Sequence, residues 1–409
     1  MKMSQLDAFA EFLGSQEVDE IKFLGQGLQG ARLQHVNSTM AGGGVAEILA
    51  RLSPMMREVG VESEWTVMEA EEGFFEVTKH IHNALHGESI RLAPQAKEVF
   101  YAAAEKNLGK INKEADFIVL HDPQPLPLIR QRSSYEGKWV WRCHIDLTEA
   151  DRRVWNLLRS LVERADGAIF HVPEYAKDLS IPQYIIPPAI DPFSEKNREM
   201  TDDEVKKKLS DLGLSSLKPI VIQVSRFDRL KDPIGVIEAY EIVKKSFDCQ
   251  LVLAGGGAAD DPQAERCYQE VLSRSERVAG IHVLYLPPDS HAEINALQRA
   301  ATVVVQKSLR EGFGLTVTEA IWKSKPVVGG AVGGIRRQII DGVNGFLVES
   351  PEGAAFRIRQ LLADSELRNR MGRVGRELVK QNFLMAHYLK NWLLVLHGLK
   401  HRENHIVEF

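Results

Sequence analysis

Short apolar runs recur along the chain and are separated by longer segments of helical character. This alternation predicts parallel β-sheets whose strands are joined by crossover helices, which is an α/β fold. In the first half of the chain the runs predict strands at 33–36, 65–68, 117–120, 140–144, 168–171 and 184–186. In the second half they predict strands at 220–224, 250–253, 282–284, 302–305, 326–328 and 346–348. Two sheets of about six strands each are therefore expected.

The chain length of 409 residues favours two domains over one. A stiff segment, PPAID at 187–191, precedes a polar and charged stretch at 193–217. We therefore predict an N-terminal domain at 1–190, a linker at 191–217 and a C-terminal domain at 218–381. Apolar residues at helical spacing in 382–399 predict a final helix with Trp392 at its centre.

The composition is that of an ordinary globular protein, with 44% hydrophobic residues, 26% charged residues and a net charge of −5. No strongly basic stretch points to a nucleic-acid partner. The three cysteines have neither metal-ligand spacing nor the number needed for a disulfide framework, which favours a cytoplasmic location. No apolar segment is long enough for a membrane span. The oligomeric state stays open, a homodimer included.

The most informative stretch is QKSLREGFGLTVTEAIWKSKPVVGG at 306–330, which follows a predicted buried strand. Gly312 and Gly314 allow a tight turn and a close approach of backbone N–H groups to a ligand. A helix is expected to begin just after them, and a helix N-terminus attracts anions. Glu311 lies in the loop and Glu319 lies about one turn into that helix, so both carboxylates can hold parts of one polyhydroxy ligand.

Other polar residues follow predicted strands, where ligands bind in open α/β sheets. Arg226 and Lys231 lie in VSRFDRLKDP, close enough to converge on one diphosphate. MAGGGVAE at 40–47 can offer backbone N–H groups to a phosphate or a sugar, and it is equally compatible with a plain turn. Two histidine–acid segments, HDPQ at 121–124 and HID at 144–146, together suggest a sugar pocket.

The 311–319 segment resembles the signature of the retaining GT-B nucleotide-sugar transferases, the group that includes sucrose and glycogen synthases. The matching residues are Glu311, Gly312, Phe313, Gly314 and Glu319. The resemblance implies a GT-B fold, in which two Rossmann-like domains have parallel sheets facing a central cleft. It also implies that the final helix, within 382–409, packs back on the first domain.

The same resemblance implies the roles of individual residues. Glu311 would bind hydroxyls of the donor sugar, Glu319 the nucleotide ribose, and Arg226 and Lys231 the diphosphate. His144 would face the donor hexose near its 6-hydroxyl, and with Glu311, Arg226 and Lys231 it completes the predicted catalytic set. Further donor contacts are expected from Gly312, Phe313, Gly314, Leu315, Gly43 and Gly44, and from Leu286 beside the nucleobase. Acceptor contacts are expected from Asp122 and Gln124, supported by Arg142 and Asp146.

The longer strings VVVQKSLREGFGLTVTEAIWKSKPVVGG, HDPQP and INALQRA resemble the trehalose synthases and their relatives, the retaining trehalose phosphorylases. The resemblance implies transfer of glucose from NDP-glucose (ADP- or UDP-glucose) to free glucose, giving trehalose, in a reversible reaction. The expected partners are therefore a nucleotide sugar and glucose or trehalose. No cofactor is required, because two cations and a helix terminus can neutralise the diphosphate. No metal motif is recognisable, although a divalent ion is left open.

Several alternatives stay open at the level of sequence. A retaining trehalose phosphorylase would use inorganic phosphate, and another retaining NDP-sugar transferase would use a different acceptor. A non-catalytic sensor of nucleotide sugars would keep every binding residue. A nicotinamide dehydrogenase is disfavoured, because the spaced glycine fingerprint of that class is missing. The nucleobase and the physiological direction stay open.

Overall fold

The computed structural model describes residues 4–40, 44–215, 217–256 and 262–401. The chain divides into two compact units. The first unit comprises Met1–Ala189 and Met385–Phe409, and the second comprises Ile190–Leu384. Each unit is built around one parallel sheet.

The first unit contains a six-stranded sheet with the order β2-β1-β3-β4-β5-β6. Its strands are β1 (Arg32–Asn37), β2 (Glu62–Val67), β3 (Phe117–His121), β4 (Lys138–Arg142), β5 (Gly167–Phe170) and β6 (Gln183–Ile185). Its helices are α1 (Gln5–Ala8), α2 (Ala10–Leu13), α3 (Ser15–Gln26), α4 (Gly44–Glu58), α5 (Glu72–Leu85), α6 (Pro94–Asn107) and α7 (Arg152–Val162). Short 3₁₀ helices occur at Leu108–Lys110, Leu126–Ser134 and Pro173–Tyr175.

The second unit contains another six-stranded parallel sheet, with the order β12-β11-β10-β7-β8-β9. Its strands are β7 (Ile220–Val224), β8 (Gln250–Gly255), β9 (Ile281–Tyr285), β10 (Val303–Gln306), β11 (Val327–Gly330) and β12 (Gly345–Val348). Its helices are α8 (Asp202–Asp211), α9 (Pro233–Lys244), α10 (Pro262–Ser275), α11 (His291–Ala300), α12 (Leu315–Trp322), α13 (Ile335–Gln338), α14 (Pro351–Ala363) and α15 (Ser365–Asn382). A 3₁₀ helix, Arg229–Lys231, precedes α9.

Both sheets reverse their strand order beside a central strand. In the first unit β1 separates β2 from β3, and in the second unit β7 separates β8 from β10. Strands β3 and β7 are buried along their whole length, as expected when helices cover both faces of a parallel sheet. Ligands bind beside such reversals, at the carboxyl ends of the strands.

The predicted fold class is confirmed, since each of the twelve predicted strands matches a strand of the structure. The largest differences in bounds occur where a strand contains polar residues. Strand β2 begins at Glu62, three residues before its predicted start, because Glu62 and Glu64 are exposed and interrupt the apolar run. Strand β4 ends at Arg142, so His144 lies beyond the strand instead of within it.

The segment at 191–217 is not a simple linker, and this part of the prediction is corrected. It contains α8, whose N-terminus has a capping box made by Thr201 and Glu204. Leu209 on α8 is buried, and the segment belongs to the second unit. Its many charged residues cover the exposed face of this helix, which explains why it resembled a solvated connector.

The last helix, α16 (Met385–Lys400), belongs to the first unit. Trp392 is fully buried in it. Lys390 lies 2.9 Å from carboxylate oxygens of both Glu17 and Glu20 on α3. Among the helices of the described residues, none combines the length and the apolar character that crossing a membrane requires.

Candidate active site

The contact at the centre of the second unit is an ion pair between Lys231 and Glu311. The Lys231 Nζ atom lies 2.7 Å from both carboxylate oxygens of Glu311. Ser308 Oγ donates a further hydrogen bond to Glu311 Oε2 at 3.1 Å. Both charged side chains are largely buried, with 19% and 10% of their side-chain surfaces exposed. The structure thus brings together two of the predicted catalytic residues, which lie 80 positions apart in the chain.

Main-chain contacts hold the loops that carry this pair. The Leu309 N–H group donates to the Leu230 carbonyl at 2.8 Å, which joins the loop after β10 to the loop after β7. Gln223 at the end of β7 donates to the Lys231 carbonyl at 2.7 Å. Two loops that follow neighbouring strands of one sheet are therefore fixed against each other.

Asp232 ends the Lys231 loop and begins α9. Its φ of +52° is left-handed, a region that aspartate tolerates better than most residues. The Asp232 side chain accepts a hydrogen bond from the Gly235 N–H group and contacts the buried Lys307 ammonium. The residue after Lys231 thus turns the chain, caps a helix and balances a buried charge.

The Glu-Gly-Phe-Gly turn leads directly into α12. Gly314 is the N-cap residue of this helix and has a φ of +84°, which glycine adopts without strain. The buried Gln338 side chain donates to the Phe313 carbonyl at 2.6 Å and accepts from Thr318 Oγ1 at 2.6 Å. These contacts hold the turn and the helix start together, with Gly312 and Leu315 partly exposed on either side of it.

Glu319 lies on the second turn of α12, and only 2% of it is exposed. Its Oε1 atom lies 3.6 Å from Lys196 Nζ. The buried Lys323 ammonium donates hydrogen bonds to Asn197 Oδ1 at 3.0 Å and to the Glu319 carbonyl at 3.2 Å. Burial lowers the pKa of Lys323 to about 7, against the opposing attraction of Glu319.

The other predicted residues of the second unit are placed less favourably. Arg226 is exposed, and its Nη2 atom lies 3.6 Å from Asp228 Oδ2, so the structure does not bring it to the Lys231–Glu311 pair. The Leu286 N–H group donates to the Gly255 carbonyl at 2.8 Å and joins β8 to the loop after β9. The expected contact between backbone groups around Leu286 and the nucleobase stays a prediction.

The predicted glycine loop of the first unit is only partly within the described residues. Gly43 lies outside them, whereas Gly44 begins α4 and is exposed.

Asp122 adopts an unusual conformation directly after β3. Its φ is +64°, and its carboxylate accepts the His144 N–H group at 2.7 Å. Burial raises the pKa of Asp122 to about 7, while that hydrogen bond and the charge of Arg142 act in the opposite direction. Nearby, Gln124 is partly exposed, and its Oε1 atom has no hydrogen-bond partner among the described residues.

Both ring nitrogens of His144 are occupied by other histidines. His121 Nδ1 lies 2.9 Å from His144 Nε2, and His171 Nε2 lies 3.0 Å from His144 Nδ1. The ring therefore has no nitrogen left with which to exchange a proton with a substrate. The expected position of His144 near the 6-hydroxyl of the donor hexose stays a prediction.

Arg142 and Asp146 do not support an acceptor site as predicted. Arg142 is fully buried, and its guanidinium donates to the carbonyls of Phe170 at 3.0 Å and Ile186 at 2.6 Å. Asp146 accepts from both the N–H group and the hydroxyl of Thr148, at 2.9 and 2.6 Å. The first residue joins strand ends and the second closes a turn, so both have structural contacts.

Several residues at these sites were not predicted. Ser308 orients Glu311, Lys307 pairs with Asp232, and Lys196 lies beside Glu319. Lys307 and Ser308 lie within the 306–330 stretch and directly follow β10, so their position after a buried strand was an available signal. Lys196 gave no signal, because it lies in the stretch that was interpreted as a linker. Within the residues that the structure describes, no group of three or more histidine, cysteine, aspartate or glutamate side chains is arranged to hold a metal ion.

Comparisons with known proteins show the family to which the chain belongs. Residues 35–177 match a family model described as "Trehalose synthase, N-terminal domain", and residues 204–378 match one described as "Glycosyl transferases group 1". The trehalose synthase of Thermococcus litoralis is 42% identical over 402 residues, which cover 96% of this chain and 97% of the relative. The chain belongs to the trehalose synthase family. It is a glycosyltransferase with the GT-B fold.

Two more distant proteins are also similar to this chain, one in sequence and one in fold. The trehalose phosphorylase of Grifola frondosa is 28% identical over 394 residues, covering 83% of this chain and 53% of that protein. A solved sucrose-phosphate synthase from Thermosynechococcus elongatus superposes with a TM-score of 0.73 at 18% identity, covering 91% of this chain and 100% of the other. At that identity the structural match concerns the fold alone.

Proposed function

We propose that this protein is a retaining glycosyltransferase that transfers glucose from ADP- or UDP-glucose to free glucose and forms α,α-trehalose. The observation that carries the proposal is the contact of Lys231 with both oxygens of Glu311 at the carboxyl ends of β7 and β10. Such an arrangement presents a cation for a diphosphate and a carboxylate for sugar hydroxyls in one place. The relatives named trehalose synthase, which align over nearly the whole chain, support the choice of reaction.

The donor would bind to the strand ends of the second unit. Lys231 would contact the diphosphate, and Glu311 would accept hydrogen bonds from hydroxyls of the glucose ring. Glu319, one turn or more into α12, would bind the ribose hydroxyls. Arg226 lies on the exposed side of the β7 loop, so its side chain would have to leave Asp228 to reach the phosphates.

The chemical step needs stabilisation of the departing diphosphate. The bond between donor C1 and the phosphate oxygen breaks, and its electron pair stays on the phosphate. A bond between donor C1 and the acceptor 1-hydroxyl oxygen forms on the same face of the ring. The hydroxyl proton passes to the leaving phosphate oxygen, so the products are trehalose and NDP. A trapped covalent glycosyl-enzyme would contradict this single-step route.

The acceptor contacts would come from the first unit. The Gln124 Oε1 atom, which lacks a partner among the described residues, can accept a hydrogen bond from a sugar hydroxyl. Asp122 has a pKa of about 7, so near neutral pH its carboxyl group can either donate or accept. Both residues follow β3, beside the strand-order reversal of this sheet.

A trehalose phosphorylase is the second candidate, because a relative with that name shares 28% identity. That reaction uses inorganic phosphate, which has no ribose that a carboxylate could bind. Glu319, which is buried beside Lys196 on the helix that follows the Glu311 turn, favours the nucleotide-dependent reaction.

Product analysis by NMR separates these functions. The protein is mixed with glucose and either ADP-glucose or UDP-glucose, and a parallel sample contains trehalose and inorganic phosphate. We expect a 1,1-linked disaccharide from a nucleotide-sugar sample. Reaction of only the phosphate sample would establish the phosphorylase. If no sample reacts although NDP binds, the proposed acceptor is wrong.

A further inference from the structure

Four histidines form a continuous hydrogen-bonded row across the sheet of the first unit. His35 Nδ1 lies 3.0 Å from His121 Nε2, and His121 Nδ1 lies 2.9 Å from His144 Nε2. His144 Nδ1 in turn lies 3.0 Å from His171 Nε2. We call these four side chains the histidine row.

The row follows the order of the strands. His35 belongs to β1 and His121 ends β3, while His144 lies two residues after β4 and His171 directly follows β5. Strands β1, β3, β4 and β5 are consecutive neighbours in the sheet. Each contributes one imidazole near its carboxyl end, so the row runs sideways along the edge at which ligands bind in α/β sheets.

Burial keeps three rings of the row, those of His35, His121 and His144, electrically neutral. It lowers the pKa of His35 to about 3 and that of His121 well below the ordinary value for histidine. The pKa of His144 is also lowered well below that value, first by burial and then by its histidine neighbours and Arg142. A neutral imidazole has one N–H donor and one acceptor nitrogen.

Neutrality links the tautomers of His35, His121 and His144. Each contact needs one donor and one acceptor, so the proton carried by one ring dictates the position of the proton on the next. These three rings carry their protons either all on Nδ1 or all on Nε2. A change at His35 is therefore transmitted to His144 through His121.

The charged and titratable groups around the row do not replace any of these contacts. Arg142 on β4 is engaged by two main-chain carbonyls, and Asp122 after β3 accepts the main-chain N–H group of His144. From α16, the Tyr388 ring lies 6.0 Å from the Arg142 guanidinium, and the Trp392 ring lies 5.5 Å from His35 and perpendicular to it.

We propose that His35, His121 and His171 are positioning residues that hold the His144 ring in one orientation and one tautomer against the bound sugar. The proposal rests on the proposed function, which places the acceptor glucose at Asp122 and Gln124, and the Asp122 carboxylate accepts the His144 N–H group. Held at both nitrogens and at its main-chain N–H group, His144 supplies a rigid contact surface and takes no part in proton transfer. Fixed groups of this kind reduce the reorganisation that a reaction requires.

The row itself is tested by NMR of the full-length protein labelled with ¹⁵N-histidine. The ¹⁵N shifts distinguish Nδ1–H, Nε2–H and protonated rings, and single substitutions assign the signals. We expect all four rings to have the same tautomer and His144 to stay neutral between about pH 6 and 8. We also expect His35→Leu to shift the His144 signals, although the two rings do not touch each other.

Matched variants distinguish an effect transmitted along the histidine row from a general disturbance of the structure. His35→Asn keeps a nitrogen or oxygen at the position of Nδ1 and should retain most of the wild-type His144 signal. His397→Leu removes a histidine of the same unit whose ring is hydrogen-bonded to the Leu24 carbonyl, at 2.8 Å, and should leave that signal unchanged. Mixed tautomers within the row, or a His144 signal insensitive to His35→Leu, would overturn the proposal.

A second experiment measures the rate of glucose transfer and the affinity for NDP in the same variants. His35→Leu should lower kcat by about tenfold or more, since small displacements near the reacting groups are costly. His35→Asn should recover most of that loss, and the Kd for NDP should stay unchanged in both. Wild-type kcat in His35→Leu would contradict the positioning role. If the wild-type protein transfers no glucose, the proposed function fails, whereas the NMR result still decides whether the row exists.

Discussion

At the scale of single residues, the Lys231–Glu311 contact holds two opposite charges in a largely buried position. Removal of one partner from such a pair leaves the other without compensation, which costs more than the pair itself contributes. A ligand can take over both contacts, because its phosphate oxygens can accept from Lys231 and its hydroxyl groups can donate to Glu311. We therefore expect substrate binding to separate the two side chains.

We expect Glu311→Gln to lower transfer by about 100-fold or more, because the amide cannot hold both Lys231 and the donor hydroxyls as an anion does. The measurement is initial rate of trehalose formation, together with thermal unfolding to verify that the protein still melts cooperatively. Glu293→Gln is a matched control, since Glu293 pairs with Lys208 at 2.6 Å in the same unit. Activity of Glu311→Gln within about threefold of wild type would remove Glu311 from the site.

Asp122 predicts an unusual dependence of stability on pH. Its folded-state pKa of about 7 lies above the ordinary value of 3.8, so the folded protein binds the proton more tightly than the unfolded chain. The wild type therefore loses stability as pH rises from about 4 to about 7, and the loss is complete above that range. The side chain of Asp122→Asn cannot ionise, so this variant should not lose stability over that pH range.

Thermal unfolding at several pH values tests this expectation. Asp122→Asn and wild type should unfold at similar temperatures near pH 4, and the variant should be more stable near pH 8 by roughly 2 kcal/mol, allowing for partial exposure. Asp248→Asn serves as the control with the opposite sign, because hydrogen bonds from Lys218 and Lys244 lower the pKa of Asp248. A difference between Asp122→Asn and wild type that does not change with pH would contradict the raised pKa.

Single residues were also where sequence reasoning was weakest. The motif residues Glu311 and Lys231 could be found because their types and spacing point to one chemistry. The roles of Arg142 and Asp146 could not, because only the fold shows that their polar atoms are already bonded to carbonyls and to Thr148. The histidine row requires the order of four strands, which the sequence does not contain.

At the scale of elements, the strands were predictable because both faces of a parallel sheet are covered. Their buried runs, such as Ile220–Val224, are almost continuously apolar and stand out from the helical segments. The start of β2 and the charged helix α8 were not predicted, because parts of both are exposed to solvent. Their exposed positions carry glutamates and lysines, which also occur in loops.

Helix α9 depends on Asp232, which makes the residue a test of how an element supports the site. Asp232→Ala should lower stability by about 2 kcal/mol or more, since it loses the cap and strains a left-handed position. It also leaves the buried Lys307 without its partner. Asp232→Asn keeps the cap and tolerates the left-handed φ, so it should be less destabilised. The comparison is made by thermal unfolding, and equal losses in both variants would show that charge alone matters.

At the scale of the whole molecule, each unit has its own sheet and its own reversal of strand order. The residues proposed to bind the diphosphate and the ribose all belong to Ile190–Leu384, whereas the histidine row and Gln124 belong to the other unit. Division of the chain near residue 190 followed from the proline-rich segment. The assignment of 191–217 to the second unit followed only from the contacts of α8.

This division predicts where a nucleotide protects the backbone from hydrogen exchange. At about 100 times its Kd, ADP or UDP should stabilise the binding segments by about 2.7 kcal/mol. Slower exchange is expected in peptides covering 224–234 and 306–320, and little change in those covering 117–124 and 140–146. Lys231→Ala should weaken this protection because the phosphate loses its cation, whereas Lys218→Ala, at an exposed pair with Asp248, should not. Protection confined to the first unit, or unchanged in Lys231→Ala, would show that the nucleotide does not bind at the Lys231–Glu311 pair.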